Sequence, residues 1–354
     1  MATMRALLVI GQGQVAVRDD VPKPVPGKGE VLVKVAYAGL NPTDWKHAYS
    51  PQLAPKVVGT VSGCDYAGTI VEFGPGVEGV RIGQKLFGFV HGSNPSAPYP
   101  NGAFAEYVVV DANLIINVPE NMKLEVAAGQ GVAAVTTGQM LWQSQNLPSP
   151  EKPGDFSQYF LVWSGATGVG QWLIQIAHLS GLRVITTASL KHTERLKSLG
   201  ASEVIDYRSP DVAQRIREFT KNRLTSAGIC EISPEHLPIV VEALSDEGGV
   251  LSVITPRPLQ KEDIKWTKEV AYVPSGAYTL NGKAFETPIQ LPAIPAHYEL
   301  GKKIVKVLSQ LLEEGKITPV PVRVVGGLES IAGAFEEMRL GKVSGERIVF
   351  KIEQ

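Results

Sequence analysis

The residues best placed to do chemistry lie in a glycine-rich turn, Gly165-Ala166-Thr167-Gly168-Val169-Gly170. It comes after an apolar run, Tyr159–Trp163, and precedes apolar residues at helical spacing, Val169, Trp172, Leu173, Ile176, Ala177 and Leu179. A strand that turns sharply into a helix is how a dinucleotide is held: one glycine makes the turn, the next admits the pyrophosphate to the backbone, and the last lets helix and strand pack. The helix N-terminus adds free N–H groups and the positive end of its dipole. Here the first and last glycines stand and Thr167 takes the middle place. The spacing by itself equally fits a turn before a buried helix. The next stretch of chain favours the nucleotide, because it holds two further strand–helix units, with strands at 183–188 and 203–207 and a helix at 193–199 closed by Gly200.

The end of the strand at 183–188, the second strand of this domain, reads the cofactor. Enzymes that use NAD set an acid there, about 20 residues past the glycines, to accept from the ribose 2′-hydroxyl. Between Arg183 and Thr193 there is no acid; Ser189, Lys191 and His192 stand there. A hydroxyl and a cation suit a 2′-phosphate, which a carboxylate would repel, so the expected cofactor is NADPH. The alternative is that Lys191 is a solvated loop charge.

The elements that must position these residues divide the chain. With 354 residues, 44% hydrophobic and 19% charged residues and a net charge of -1, the sequence has room for two cores and no basic stripe to invite nucleic acid. No apolar run approaches the roughly 20 residues that cross a bilayer. The N-terminus MATMRALLVI has no cationic region or cleavage site, so a cytoplasmic protein without a signal peptide is expected. Cys64 and Cys230, far apart, suggest reduced thiols rather than a disulfide framework. Residues 1–125 read as short strands (4–10, 15–18, 30–38, 65–73, 84–90 and 103–110) between turns rich in Gly and Pro, which predicts a β-barrel-like domain without long helices. A helix over 124–141 leads into an α/β domain expected to span 126–298. Its later parts are a helix at 211–222 with Ser209 as N-cap and Pro210 as first helical residue, a strand at 228–232, a helix at 235–244, a strand at 249–254, and irregular structure over 256–298. A helix at 298–314, a strand at 320–325, a helix at 331–340 and a strand at 346–352 close the chain.

The order of parts, with Asn41-Pro-Thr-Asp-Trp-Lys46, Gly63-Cys-Asp-Tyr-Ala-Gly68, Gly102-Ala-Phe-Ala-Glu-Tyr107, the stretch from Ala127 to Gly138 and the turn from Gly165 to Gly170, resembles the medium-chain dehydrogenase/reductase superfamily over essentially the whole chain. Within it, residues 203–222, Arg323-Val-Val-Gly-Gly327 and Gly341-Lys-Val-Ser-Gly-Glu346 are similar to the trans-acting enoyl reductases of fungal polyketide clusters. The resemblance implies a GroES-like β-barrel domain, made of 1–125 and 299–354, and a Rossmann doubly wound parallel-sheet domain over 126–298.

It also implies roles. Where zinc-dependent members place their ligands, this chain has Asn41, Cys64 and Asp65, and no Cys stands between 65 and 229, so no metal is expected. Thr136 would meet the nicotinamide carboxamide, and Gly131, Val132, Ala133, Thr137 and Gly138 would line the substrate cleft. Tyr207, Ile254, Thr255, Val343 and Ser344 would flank the cofactor. Gly276, Ala277, Tyr278, Thr279 and Leu280 would form a loop over the substrate. Thr43, Asp44 and Trp45, with Asn41, would hold the nicotinamide and Lys46 in place. Lys46 is the candidate for substrate activation, as enolate stabiliser, proton donor or positioning residue.

The function expected is therefore NADPH-dependent reduction of the C=C bond of an α,β-unsaturated acyl thioester, free or carried by a polyketide synthase, in secondary metabolism. A zinc-independent NADPH quinone or enone reductase is the alternative, and an inactive cofactor-binding structural protein a third reading. Either a monomer or a homodimer fits.

Overall fold

A computed structural model describes residues 2–231, 233, 235–254, 268–287 and 289–353. The chain forms two compact units, one of residues up to Val132 together with those from Tyr278 onward, the other Ala133–Ala277.

The first unit opens with an antiparallel pair, β1 (Thr3–Gly11) and β2 (Gln14–Pro22). Next come β3 (Glu30–Gly39), the helices α1 (Pro42–Tyr49) and α2 (Ala54–Val57), β4 (Asp65–Phe73), β5 (Lys85–Phe89), β6 (Tyr107–Asp111), β7 (Ile116–Asn117) and α3 (Leu124–Ala128). The sequence of β3, EVLVKVAYAG, is almost unbroken Val, Leu and Ala, and only Lys34 is exposed. It is the hub of a seven-stranded sheet, paired with β4, with β6 and with a strand from the C-terminus. A strand flanked on both sides and covered on both faces has no solvent side on which to alternate.

α4 (Gly131–Gly138), continued by a π-helical turn at Gln139–Gln143, carries the chain into the second unit. There β8 (Tyr159–Trp163), α5 (Gly168–Leu179), β9 (Arg183–Thr187), α6 (Thr193–Ser198), β10 (Ala201–Ile205), α7 (Val212–Thr220), β11 (Ser226–Ile229), α8 (His236–Ala243), β12 (Gly249–Ile254) and β13 (Val270–Ser275) alternate. The sheet is parallel throughout, in the order β10-β9-β8-β11-β12-β13. That is the doubly wound order 3-2-1-4-5-6, and the direction of winding reverses between β8 and β11, where such sheets bind ligands at their carboxyl ends. All five residues of β8 are buried, as the central strand of a sheet covered by helices must be. The return to the first unit is α9 (Pro295–Glu313), β14 (Val322–Val324), α10 (Ile331–Arg339) and β15 (Arg347–Lys351), with β15 pairing antiparallel to β3. Phe335 and Phe350 thereby join Val33, Tyr66 and Phe104 in one buried cluster.

Several local expectations are corrected. The first 125 residues do contain helix: Pro42 stands at the start of α1, and Asp44 accepts from the Asn41 N–H at 2.7 Å, which closes the first turn. The helix expected over 124–141 is broken at Gly129-Gln130, where the buried Gln130 side chain donates to Val126 O and Val320 O. Asp211, not Ser209, caps α7, and Pro210 lies outside it. Within the stretch read as irregular, β13 adds a parallel edge strand and α9 begins at Pro295; residues 256–267 lie outside the described residues. The units divide after Val132 and Ala277 rather than after 125 and 298, since 298 falls inside α9.

Candidate active site

In the second unit the glycine-rich turn is fixed by β9. Ser164, at φ 66, donates its N–H to Thr187 Oγ1 at 3.1 Å, and the Gly165 N–H donates to Thr187 O at 2.9 Å. A Cβ on Gly165 would lie 2.0 Å from Thr186 Oγ1, and one on Gly170 would lie 2.5 Å from Ser164 O, so both positions require glycine. Thr167 is the N-cap of α5: its Oγ1 accepts from the Gly170 N–H at 3.0 Å and donates to Ser164 O at 2.9 Å. Its place in the fingerprint is that of a cap, so one first-turn N–H is already taken, and those of Gly168 and Val169 remain at the positive end of the dipole. The Cys230 N–H donates to Trp163 O at 3.1 Å, joining β8 and β11 at the switch point. Half-buried Ser189, exposed Lys191 and half-buried His192 come after β9 in one short turn. The free N–H groups of the turn fit a dinucleotide, with its pyrophosphate at the α5 N-terminus.

Tyr207 stands edge-on to His236, ring centroids 5.8 Å apart, beside an open cavity that Arg208 and Glu242 also line. Ala133, Thr136 and Thr137 are on α4, where Thr136 is buried and the Thr137 hydroxyl turns back to donate to Ala134 O at 2.6 Å. Gly138 ends α4, Ile254 ends β12, and Gly276 and Ala277 come directly after β13. Thr255 lies outside the described residues.

In the first unit the register of the sheet builds a second cluster. Gly39 pairs with Asp65 on one side and Val349 on the other, which sets Asn41, Asp65 and Arg347 together at the strand ends. Arg347 Nη2 donates to Asn41 Oδ1 at 2.7 Å and to Asp65 Oδ2 at 2.9 Å, and its Nε donates to Gly129 O at 3.0 Å. Asp65 Oδ1 accepts the Val132 N–H at 2.7 Å, and a Cβ on Gly131 would lie 2.1 Å from Gly88 O. Asp65 is fully buried and Arg347 is 6% exposed. Two of the positions that zinc-dependent relatives give to metal are thus committed to an ion pair and its hydrogen bonds. Among the described residues no group of three or more His, Cys, Asp or Glu is arranged to hold a metal ion. Elemental analysis of the purified protein should find well under one equivalent of zinc, and activity should survive a chelator; one tightly held equivalent would overturn this reading.

On α1, Thr43 is half-buried and Lys46 exposed, with the Lys46 Nζ 5.8 Å from the centroid of the Trp45 ring. The Asp44 carboxylate, expected from the resemblance to hold Lys46, is turned inward to the Asn41 N–H. Burial raises the Asp44 carboxyl to about 7 against the pull of the Cys64 thiol beside it. Tyr278, in a short turn at Ala277–Asn281, has its Oη 2.9 Å from Thr43 Oγ1 and 3.1 Å from Cys64 Sγ. Its ring stacks on His91 with centroids 3.8 Å apart and planes at 11°. Thr279 bonds His297 Nδ1 at 2.8 Å and Leu280 is buried, while Val343 packs on the first unit's core and Ser344 is exposed before β15.

Sequence reading missed His47, His91 and Arg347. Burial holds His47 down to about 4, and burial with the neighbouring His47 holds His91 to about 3. Both are therefore neutral in the fold, while an unfolded chain takes up a proton at each near 6.5. The part of the stability that the two histidines contribute should fall as pH drops below 6.5 toward 4, against the opposite contribution of the Asp44 carboxyl, which binds its proton more readily in the fold. Thermal melts at pH 7 and pH 5 check this, and His91→Phe, which keeps the stack on Tyr278, should shrink the difference; an unchanged acid sensitivity would remove His91 from the account.

Residues 27–120 match the alcohol dehydrogenase GroES-like domain, and residues 168–275 match the family described as zinc-binding dehydrogenase. A trans-enoyl reductase of Alternaria alternata is 34% identical over 100% of both chains, and one of Aspergillus sclerotiorum is 35% identical over 99% of this chain and 100% of that protein. A zinc-type alcohol dehydrogenase-like protein of Schizosaccharomyces pombe is 32% identical over 99% of this chain and 100% of its own. Among solved structures, the CurK enoyl reductase superposes with a TM-score of 0.78 at 21% identity, covering 99% of this chain and 100% of that one. The two-domain fold and the nucleotide turn define an oxidoreductase of medium-chain dehydrogenase/reductase architecture, a class that uses a nicotinamide cofactor. Within that superfamily the chain belongs to the family of the trans-enoyl reductases.

Proposed function

We propose that the protein reduces the C=C bond of an α,β-unsaturated acyl thioester with NADPH, in trans to the polyketide synthase that carries the acyl chain in secondary metabolism. The observation that carries this reading is the commitment of Asn41 and Asp65 to Arg347, which leaves α1 with protic groups, Thr43 and Lys46, to polarise a substrate where zinc-dependent relatives have a Lewis acid. The full-length relationship to trans-enoyl reductases supports the substrate class.

Reduction of a conjugated thioester at its β-carbon puts negative charge on the carbonyl oxygen, and the α-carbon then takes a proton. A reduced nicotinamide supplies the hydride when bound. Lys46 supplies a cation for the developing enolate oxygen, and such a preorganised donor acts on the transition state more than on the ground state. The turn from Gly165 to Gly170 binds the pyrophosphate, and Ser189 and Lys191 bind the 2′-phosphate.

Two experiments test this. Turnover of crotonyl and longer enoyl thioesters of CoA or pantetheine is compared with that of simple quinones, using deuteride-labelled NADPH. Label at the β-carbon supports the proposal; fast quinone turnover with little thioester reduction would move the assignment to the quinone reductases. Lys191→Ala should raise KM for NADPH about tenfold while leaving KM for NADH nearly unchanged, since one charge-assisted bond to phosphate is worth roughly 1.5 kcal/mol. Equal losses for both cofactors would show that Lys191 does not read the phosphate.

A further inference from the structure

The proposed reaction needs a proton at the α-carbon, and Lys46 accounts only for the oxygen. A row of protic groups in the first unit reaches the same helix face. Thr43 and Lys46 are three residues apart on α1, so they stand on one side of it. A group at the carbonyl oxygen and a group at the adjacent α-carbon must be neighbours in this way, because the two substrate atoms are separated by one carbon. Thr43 Oγ1 is 2.9 Å from Tyr278 Oη, Tyr278 Oη is 3.1 Å from Cys64 Sγ, and the Cys64 thiol lies against the Asp44 carboxyl. The inner members, Cys64 and Asp44, are 1% exposed, and Thr43 at the outer end is half-buried. Asp44 Oδ1 is buried with no hydrogen bond to it, and apart from burial itself the Cys64 thiol is the group that acts most strongly on the carboxyl. Tyr278 is held for the task by its stack on His91 and by the edge-on Phe285, 6.3 Å away.

We infer that Thr43, Tyr278, Cys64 and Asp44 form a proton path that protonates the substrate α-carbon. This rests on the enoyl reductase reading. In the step, the Thr43 O–H bond breaks as the α-carbon–hydrogen bond forms. The Tyr278 proton passes to Thr43 Oγ1, the Cys64 proton to Tyr278 Oη, and the Asp44 proton to Cys64 Sγ. The negative charge that leaves the enolate ends on the Asp44 carboxylate, which regains a proton from water after product departs. Burial holds both the Cys64 thiol and the Tyr278 hydroxyl well above their ordinary ranges, so neither keeps the charge, whereas the Asp44 carboxyl, at about 7, accepts it.

The test is the stereochemistry of the α-carbon. Full-length protein reduces crotonyl-CoA with NADPH in D2O, and the product is analysed for the face that carries solvent deuterium. Wild type should label one face. Tyr278→Phe, which keeps the stack and loses the hydroxyl, should label both faces, with kcat about tenfold lower and KM within twofold. Cys64→Ala should scramble the label in the same way, and Cys64→Ser, which restores a protic group, should return it to one face; this pair decides the matter if Tyr278→Phe does not fold. Single-face labelling at wild-type kcat in both Tyr278→Phe and Cys64→Ala would overturn the path while leaving the reductase reading intact. A wild-type protein that reduces no enoyl thioester would overturn the parent reading and the path with it.

Discussion

Lys46→Ala is expected to lower kcat on an enoyl thioester by about thirty- to a thousandfold, the 2 to 4 kcal/mol that one preorganised donor to an oxyanion contributes at the barrier. The charge on the carbonyl oxygen exists only after hydride has begun to move, so the loss should fall on kcat and leave KM little changed. Lys46→Arg keeps the charge and changes its shape and reach, and should recover only part. Steady-state kinetics on crotonyl-CoA with saturating NADPH make the measurement. A normal kcat with a raised KM for NADPH would instead make Lys46 a cofactor contact.

Arg347→Ala is expected to destabilise the protein by about 3 to 5 kcal/mol, because it leaves the fully buried Asp65 carboxylate without its cation. The loss is felt at several elements at once: Arg347 also donates to Asn41 at the start of α1 and to Gly129 O before α4. Asp65→Asn together with Arg347→Met removes both charges and should recover much of the loss, though the Val132 N–H then has a weaker acceptor. Chemical denaturation of the two variants beside wild type measures it. A loss below about 1 kcal/mol for Arg347→Ala would show that the carboxyl is not ionised in the fold.

These two residues differ in how they could be found. Lys46 lies within a contiguous motif, Asn41 to Lys46, whose residue types suggest chemistry without any structure. Arg347 sits in a short strand pattern near the C-terminus, and its partner Asp65 is 282 residues away in sequence. Nothing local marks that pair, because it exists only where β15 and β4 flank β3. The histidines are a similar case. His47 and His91 read as isolated polar residues, and their neutral, stacked state comes from burial beside Tyr278.

What could be read from the chain alone is what local physics governs. Helical and strand periodicity marks the alternation of the second unit and the place of its nucleotide turn, since Gly165 and Gly170 answer to contacts within twenty-odd residues. The absence of an acid after β9 is equally plain, being a matter of composition in one loop. Long-range pairing settled the rest. Apolar β13 was hidden among Pro and Gly because an edge strand of a parallel sheet is recognised by its neighbour β12, not by its own alternation. The return of β14 and β15 to the first sheet and the meeting of Tyr278 with Thr43 and Cys64 likewise depend on the folded chain. Contacts between distant segments form only when their apolar faces are buried together, and burial is what fixes the protonation of His47 and His91 and of Asp44, on which the proposed proton path turns.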